Sequence, residues 1–367
     1  LKPMVNRMVF NNLGQRPVRT ALSVLAVAIE VVLIISVVGL VQGLLEDGAR
    51  RQQGLGADII IQPAGASVMM GLGSGVMPVR IGDRLRQVPG VAAVTPVLVQ
   101  NFGGLTLAYG IDPSSFAAVT GGFQVLEGRS LRDGLEMVVD SVYAQDNGAR
   151  VGQKRVLWNR DFEVVGIVEH GKGARVYVPL AIMQPLLGSE GKASVFYAKL
   201  VEQKWMGPVL AAFKGLLPGY PIRSMREFTS LMISGNISGV KPFQRVMITI
   251  AVLIGFLVIF LAMYTTVLER TREIGILKAL GASKAYIVGI FLRETALVTI
   301  AGILVGMLGS LVLRWGVLRA FPTLTILITP AWLWRAAAIA VVGALLGAAY
   351  PALRAARQDP IEALAYE

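Results

Sequence analysis

The chain has no cysteine, a single histidine, and charge on only 16% of its 367 residues. Without thiols it forms no disulfide and uses no thiolate nucleophile, although that absence names no compartment. His170 alone cannot build a His-based metal site, and no nucleophile accompanies it; it reads as a turn residue after "VVGIVE". A G-x-x-x-x-G-K-[ST] phosphate loop is also missing. "GLGSGV" (71–76) has no lysine, and "GASK" (281–284) has the wrong spacing and ends a helical pattern, with Gly281 as its cap. Met69, Met70 and Met77 are soft side chains, but no Cys or His joins them, so they read as a flexible apolar contact loop rather than a metal site. The sequence therefore predicts no catalytic residue, no metal site and no cofactor in this chain.

What is abundant is apolar surface: 54% of the residues are hydrophobic and the mean hydropathy is +0.62. Four runs reach the roughly 20 residues that cross a bilayer. They predict transmembrane helices at 20–45, 243–268, 286–313 and 332–353. The first is too long for a signal-peptide core and no small-x-small site closes it, so it is expected to be retained. The positive-inside rule sets the orientation. Lys2, Arg7, Arg16 and Arg19 precede the first run, Arg270, Arg272, Lys278 and Lys284 separate the second from the third, and Arg354 and Arg357 follow the fourth. This predicts a cytoplasmic N-terminal segment (1–19), a cytoplasmic link (269–285) and a cytoplasmic tail (354–367). Segment 46–242 and the short loop 314–331 fall on the extracytoplasmic side. The net charge of +12 then largely reflects topology, and no nucleic-acid partner is expected.

Segment 46–242 is long enough for its own core, and it reads as mixed α/β. β-Branched runs occur at "ADIIIQ", "VAAVTPVLVQ", "LTLAYGID", "EMVVDS", "KRVLWN", "FEVVGIVE", "RVYVPL" and "SVFYAKL", each bounded by turn residues. Helical patterns lie near 82–87, 141–148, 180–187 and 203–217. The Gly- and Met-rich stretch 63–78 has no period and reads as a mobile loop. The fold class is thus an integral membrane α-helical protein with four transmembrane helices. A large mixed α/β extracytoplasmic domain separates helices 1 and 2. The asymmetry argues against an inverted-repeat transporter.

Two acids lie within spans. Glu30 is about 15 Å into the first helix, where an ionisable group costs at least ~2.5–3.5 kcal/mol and is a functional-site hypothesis by default. The alternative is a carboxyl packed inside the bundle or at a subunit contact. Glu294 is expected to pair with a basic residue at the inner end of another span, while its neighbour Arg293 snorkels. Gly302, Gly306 and Gly309 would admit a close helix neighbour, in a second copy or in the same chain. In the link, Ile274, Leu277 and Leu280–Gly281 are expected to share an apolar face, with Arg272, Glu273 and Lys278 elsewhere. Such a stub fits either a partner's groove or the bilayer surface.

The run "ERTREIGILKALGASKAYIVGIFLRETALVTIAGILVGMLGS" closely resembles the signature of FtsX/MacB-type (type VII, LolC/LolE-like) ABC transporter permeases. The ending "YPALRAARQDPIEALAYE", the entry "RPVRTALSVLAVAIEVVLII" and the external "LRQVPGVAAVTP" are similar to the same family. In "YPALRAARQDPIEALAYE" the matching residues are Pro351, Ala355, Pro360 and Leu364. Glu30 departs from it, standing where the family usually has a small residue. The resemblance implies a bacterial inner-membrane permease that works as a homodimer or related heterodimer. A cytoplasmic ABC ATPase dimer would bind the ATP and Mg, and a periplasmic adaptor or envelope protein is a further implied partner. It assigns ATPase coupling to Arg272, Glu273, Ile274, Gly275, Leu277, Lys278, Leu280, Gly281 and Ala282. Mechanical transmission to the external domains, for export or extraction of a lipid, lipoprotein, peptide or small hydrophobic molecule, is the implied function. The alternative is an FtsX-like scaffold that activates a cell-wall hydrolase.

Overall fold

The computed structural model describes residues 17–64, 75–101, 106–233 and 240–359. Met69, Met70, Pro360, Leu364 and the basic residues of 1–16 lie outside the described residues. The first helix, α1 (Pro17–Gly54), has 38 residues. At 1.5 Å per residue it measures about 57 Å, against roughly 30 Å for a hydrocarbon core. The predicted domain boundary at 46 therefore falls inside a helix. Polar residues 46–54 continue it because Glu46 pairs with Arg50 (2.9 Å) and Asp47 with Arg51 (3.0 Å) one turn on.

Residues 42–241 and 318–325 form one compact unit. Its strands are β1 (Ile59–Ile61), β2 (Met77–Pro78), β3 (Val91–Asn101), β4 (Leu107–Ile111), β5 (Val125–Gly128) and β6 (Glu136–Asp140). Then come β7 (Lys154–Leu157), β8 (Arg160–Val168), β9 (Val176–Pro179), β10 (Lys192–Ala193), β11 (Val195–Leu200) and β12 (Ile222–Ser224). The large sheet runs β12-β1-β11-β3-β4-β9-β6-β8-β5, with β7 paired to β8; β2 and β10 form a separate pair. Among the described residues only β4/β9 and β6/β8 are parallel, so the sheet is mixed. Met77, from the expected contact loop, is fully buried in β2 rather than offered to a partner.

The helices of this unit are α2 (Ile81–Arg86), α3 (Pro113–Thr120), α4 (Ser141–Asn147), α5 (Leu180–Leu186), α6 (Met206–Leu216) and α7 (Met225–Ile233). Helix α3 escapes the hydrophobic pattern but carries clear local signals. Asp112 caps it through Ser115 N–H (2.9 Å), Pro113 opens it, and Gly121 closes it at φ +73°. Asp140 caps α4 likewise, accepting from Tyr143 N–H at 2.6 Å. The end of α1 is fastened into the sheet. Gln52 donates to the Tyr109 hydroxyl (2.8 Å) and accepts from that of Tyr197 (3.0 Å), all three buried. Gln53 donates to Thr229 Oγ1 (3.2 Å) in α7.

The other unit comprises the chain up to Val41, Pro242–Val317 and the chain from Ile326. It contains most of α1, α8 (Val240–Glu269), α9 (Thr271–Ala279), α10 (Lys284–Ala320) and α11 (Pro330–Arg357). Apart from the short α9, these helices are long and apolar enough to span a membrane, and each extends beyond the span expected from hydropathy. Small residues set their approach. In α11, Ala336, Ala340, Ala344, Ala348 and Ala352 recur every fourth position and are wholly or almost wholly buried. A Cβ on Gly347 would lie 2.9 Å from the Phe256 carbonyl oxygen. Gly302 and Gly306 face α1, where a Cβ would stand 2.5 Å and 2.8 Å from the Cβ atoms of Val27 and Val31. Gly309 faces Val32 at 3.2 Å, so all three glycines serve packing within the chain.

Glu30 is 2% exposed. A Cβ on Gly255 would fall 1.9 Å from its Oε2, and one on Gly343 3.7 Å from its Oε1. Two missing side chains, in α8 and α11, thus make room for this carboxyl. Neither of its oxygens has a hydrogen-bond partner among the described residues. Glu294 in α10 meets Arg270, which follows α8, at 3.3 Å.

Candidate coupling site

The stub α9 is held on three sides. Arg270 precedes it and is fixed by Glu294, a pair with under a tenth of either side chain exposed; breaking such a pair strands a buried charge. The preceding Glu269 is bound by Arg19, which also donates to Thr266 Oγ1 (3.1 Å). At the far end, Ala282 N–H reaches the Leu277 carbonyl and Gly281 N–H that of Lys278, both at 3.0 Å. These bonds close the helix as a Schellman motif, with Gly281 at φ +91°. Ser283 then caps α10 through Tyr286 N–H (3.2 Å). The sequence G-A-S thus encodes one stop and the next start.

The faces of α9 differ from the sequence expectation. Ile274 is 3% exposed and joins the bundle core with Ile287 and Phe291, and Gly275 is buried beside it. Leu277 is half-buried against Ile290. Leu280, expected on that face, is 80% exposed. Residues six apart on an α-helix diverge by about 120°, so Ile274 and Leu280 cannot share a narrow stripe. Lys278, expected to point outward, donates to the carbonyls of Ala356 (3.3 Å) and Gln358. Of the predicted coupling residues, Arg272, Glu273, Leu280 and Gly281 are exposed, while Ile274, Gly275, Leu277, Lys278 and Ala282 turn toward their own chain. Ile276, which sequence reasoning passed over, is 46% exposed. With Glu273 and Leu280 it lies at i, i+3, i+7, one continuous face. This face is charged at its start and apolar at its end, and it is carried on a braced helix.

His170 also departs from expectation. Rather than an idle turn residue, it stands between Asp140 Oδ2 (2.5 Å from Nδ1) and Asp47 Oδ1 (3.2 Å from Nε2). Hydrogen bonds donated to these two carboxylates, Asp140 first, raise its pKa from 6.5 to about 9. Nothing in the sequence marks this cluster, because its members come from three distant segments.

Long apolar helices, one large α/β unit placed after the first, and a braced polar stub between the second and third define a multi-pass membrane protein of permease type. The descriptions of two sequence families match it. The MacB-like periplasmic core domain covers residues 20–216, and the FtsX-like permease C-terminal region covers 245–360. The chain belongs to the FtsX/MacB-type ABC transporter permeases, and it is a membrane protein with a large extracytoplasmic domain. It is 23% identical to an ABC transporter permease of Methanocaldococcus jannaschii, over 97% of this chain and 96% of that protein. With the macrolide export ATP-binding/permease protein MacB of Escherichia coli (strain K12) it shares 26% identity over 77% of its own length. That match takes in 48% of MacB, so the chain spans about half the length of such relatives. The permease YknZ of Bacillus subtilis is 28% identical over 58% of this chain and 56% of that protein. The solved periplasmic region of MacB from Actinobacillus actinomycetemcomitans aligns at a TM-score of 0.39 and 16% identity, over 49% of this chain and 94% of that one.

Proposed function

We propose that the chain is the permease and mechanotransmission subunit of an ABC transporter and works as a pair of copies. ATP and Mg bind to a separate cytoplasmic ATPase, whose movement displaces the α9 stub and, through the spans, the extracytoplasmic domain. The observation that carries this reading is the exposed Glu273–Ile276–Leu280 face on a helix braced at both ends. A helix that must pass on force cannot swing freely, and Ile274, Lys278 and the Arg270–Glu294 pair each restrain this one. An amphipathic helix face set into a partner groove is a recurring mode of recognition. The basic residues around α9 support a cytoplasmic position, in a bacterial inner membrane. The cargo class is a lipid, lipoprotein, peptide or small hydrophobic molecule, and a periplasmic adaptor is a further partner.

The test is hydrolysis in the reconstituted complex. The purified chain should hydrolyse no ATP, and the complex with its ATPase should respond to the permease. Glu273→Arg, or Gly281→Val at its positive φ, should leave the complex unresponsive. Normal coupling in both variants would remove α9 from the account.

A further inference from the structure

The compact unit of residues 42–241 and 318–325 contains two pieces that continue directly into spanning helices. One is the end of α1, and the other is the 318–325 segment that leads from α10 to α11. Both meet the β-sheet at the same charged cluster. Asp47 of α1 receives His170 Nε2 at 3.2 Å on one oxygen, and Arg51 Nε (3.0 Å) and Arg175 Nη2 (3.2 Å) on the other. The same Arg175 Nη2 donates to the Thr323 carbonyl at 3.2 Å, so one guanidinium nitrogen touches both pieces. Thr323 Oγ1 donates to Asp146 of α4 (3.1 Å), while Arg51 Nη1 donates to the Gly173 carbonyl (2.8 Å).

The domain's contribution is itself rigidly held. Asp140 ends β6 and caps α4 with one oxygen while its other oxygen binds His170. Arg175 immediately precedes β9, and its carbonyl accepts from Asp140 N–H at 2.8 Å. The Asp140 side chain is 1% exposed and that of Arg175 6%. Their charges have little water to fall back on, and each partner is needed. His170 joins the two acids as a protonated bridge at neutral pH, consistent with its raised affinity for a proton.

We propose that Asp47, His170 and Arg175 are positioning residues of a charged joint. This joint fastens the α1 extension and the 318–325 segment to the β6–β9 region and passes displacement of the spans to the extracytoplasmic domain. The proposal rests on the reading that the chain transmits ATP-driven motion, and it names where that motion enters the domain. Charged pairs suit such a joint better than apolar packing does, because they fix direction as well as distance.

The absence of cysteine makes the test direct. Spin labels at Lys154→Cys, exposed on β7, and Leu311→Cys, exposed on α10, report the domain against the bundle. A second pair, Lys154→Cys with Lys204→Cys, reports the inside of the domain. Distances are measured in the complex with its ATPase, with labelled chain diluted in unlabelled chain, before and after adding ATP and Mg. The unsubstituted joint should show an ATP-driven shift in the first distance and none in the second. Asp47→Asn and Arg175→Gln should shrink the first shift to less than half, the Gln52 and Gln53 bonds still holding the end of α1, and leave the second distance alone, whereas Arg175→Lys, which keeps the charge, should retain the shift. A shift of half or more in Asp47→Asn and Arg175→Gln overturns the joint and leaves transmission standing. A changed second distance in these variants also overturns it, because the cluster would then only hold the fold. If the unsubstituted complex shows no shift at all, both the joint and the transmission reading fall.

Discussion

Alanine at Gly302 or Gly306 should loosen the contact between α1 and α10, and the structure gives the size of the effect. The new Cβ would stand 2.5 Å from Val27 Cβ at position 302 and 2.8 Å from both the Ala28 carbonyl oxygen and Val31 Cβ at position 306. Carbon atoms in contact prefer about 3.5–4.0 Å. Relief therefore requires the two helices to part by roughly 1 Å, against neighbours that include backbone. Overpacking of this kind costs about 1–3 kcal/mol. Gly289 and Gly316 lie on the same helix with nothing near their missing side chains, so alanine there should add only helix propensity, roughly 0.5–1 kcal/mol of stabilisation. That gain is common to all four sites, and comparing the pairs isolates the steric cost. Tryptophan-fluorescence melting in detergent, backed by the fraction remaining monodisperse, measures it. Gly302→Ala and Gly306→Ala should melt lower than the parent, and Gly289→Ala and Gly316→Ala at or above it. Equal melting across the four would refute close packing of α10 on α1.

Two further outcomes follow from buried groups. His170 has a folded pKa of about 9, above its unfolded value of 6.5, so its contribution to stability is complete below 6.5 and lost as pH rises through about 9. The charged groups around it are Asp47, Asp140, Arg51, Arg175 and Glu169, and denaturation monitored from pH 6 to 10 should show a decline that His170→Gln flattens. An unchanged profile in His170→Gln would assign the decline elsewhere. At Glu30, Gly255→Ala should destabilise the bundle because its Cβ would overlap Oε2. Glu30→Ala in the same chain should restore it, with a coupling of roughly 0.5–3 kcal/mol in a double-mutant cycle; strict additivity would show that the two residues do not touch.

Much of this architecture could be read from residue order. The apolar runs are long enough to decide the helices, and all eight β-branched runs are strands: each is bounded by turn residues, seven are half or fully buried, and β7, mostly exposed, is held by its pairing with β8. The end of α1 was hidden because i, i+4 pairing, rather than apolar character, carries the helix from 46 to 54. Strand β12 and helix α7 near residues 222–233 are not anticipated either: β12 has only three residues, and α7, although Met225, Phe228, Thr229 and Met232 keep a helical spacing, is only nine residues long. The stub shows a different limit. Periodicity ranks which side chains prefer burial, but it does not say what covers them; Ile274 found the bundle, and Leu280, a third of a turn away, did not. The charged joint was illegible for a simpler reason. Positions 47, 140, 170, 175 and 323 meet only once the sheet order brings β6, β8 and β9 together.

On the proposed reading, the outward face of α9, and not its inward one, engages the ATPase. The direct measurement is the affinity of the detergent-purified permease for its ATPase, compared between Leu280→Ala and Ile274→Ala. Leu280 is 80% exposed, so its truncation should leave the melting temperature unchanged and weaken binding at least tenfold, about 1.4 kcal/mol. Ile274 is 3% exposed; its truncation should cost about 2–5 kcal/mol of bundle stability, with binding affected only as far as α9 is loosened. Binding that survives Leu280→Ala intact would contradict the account.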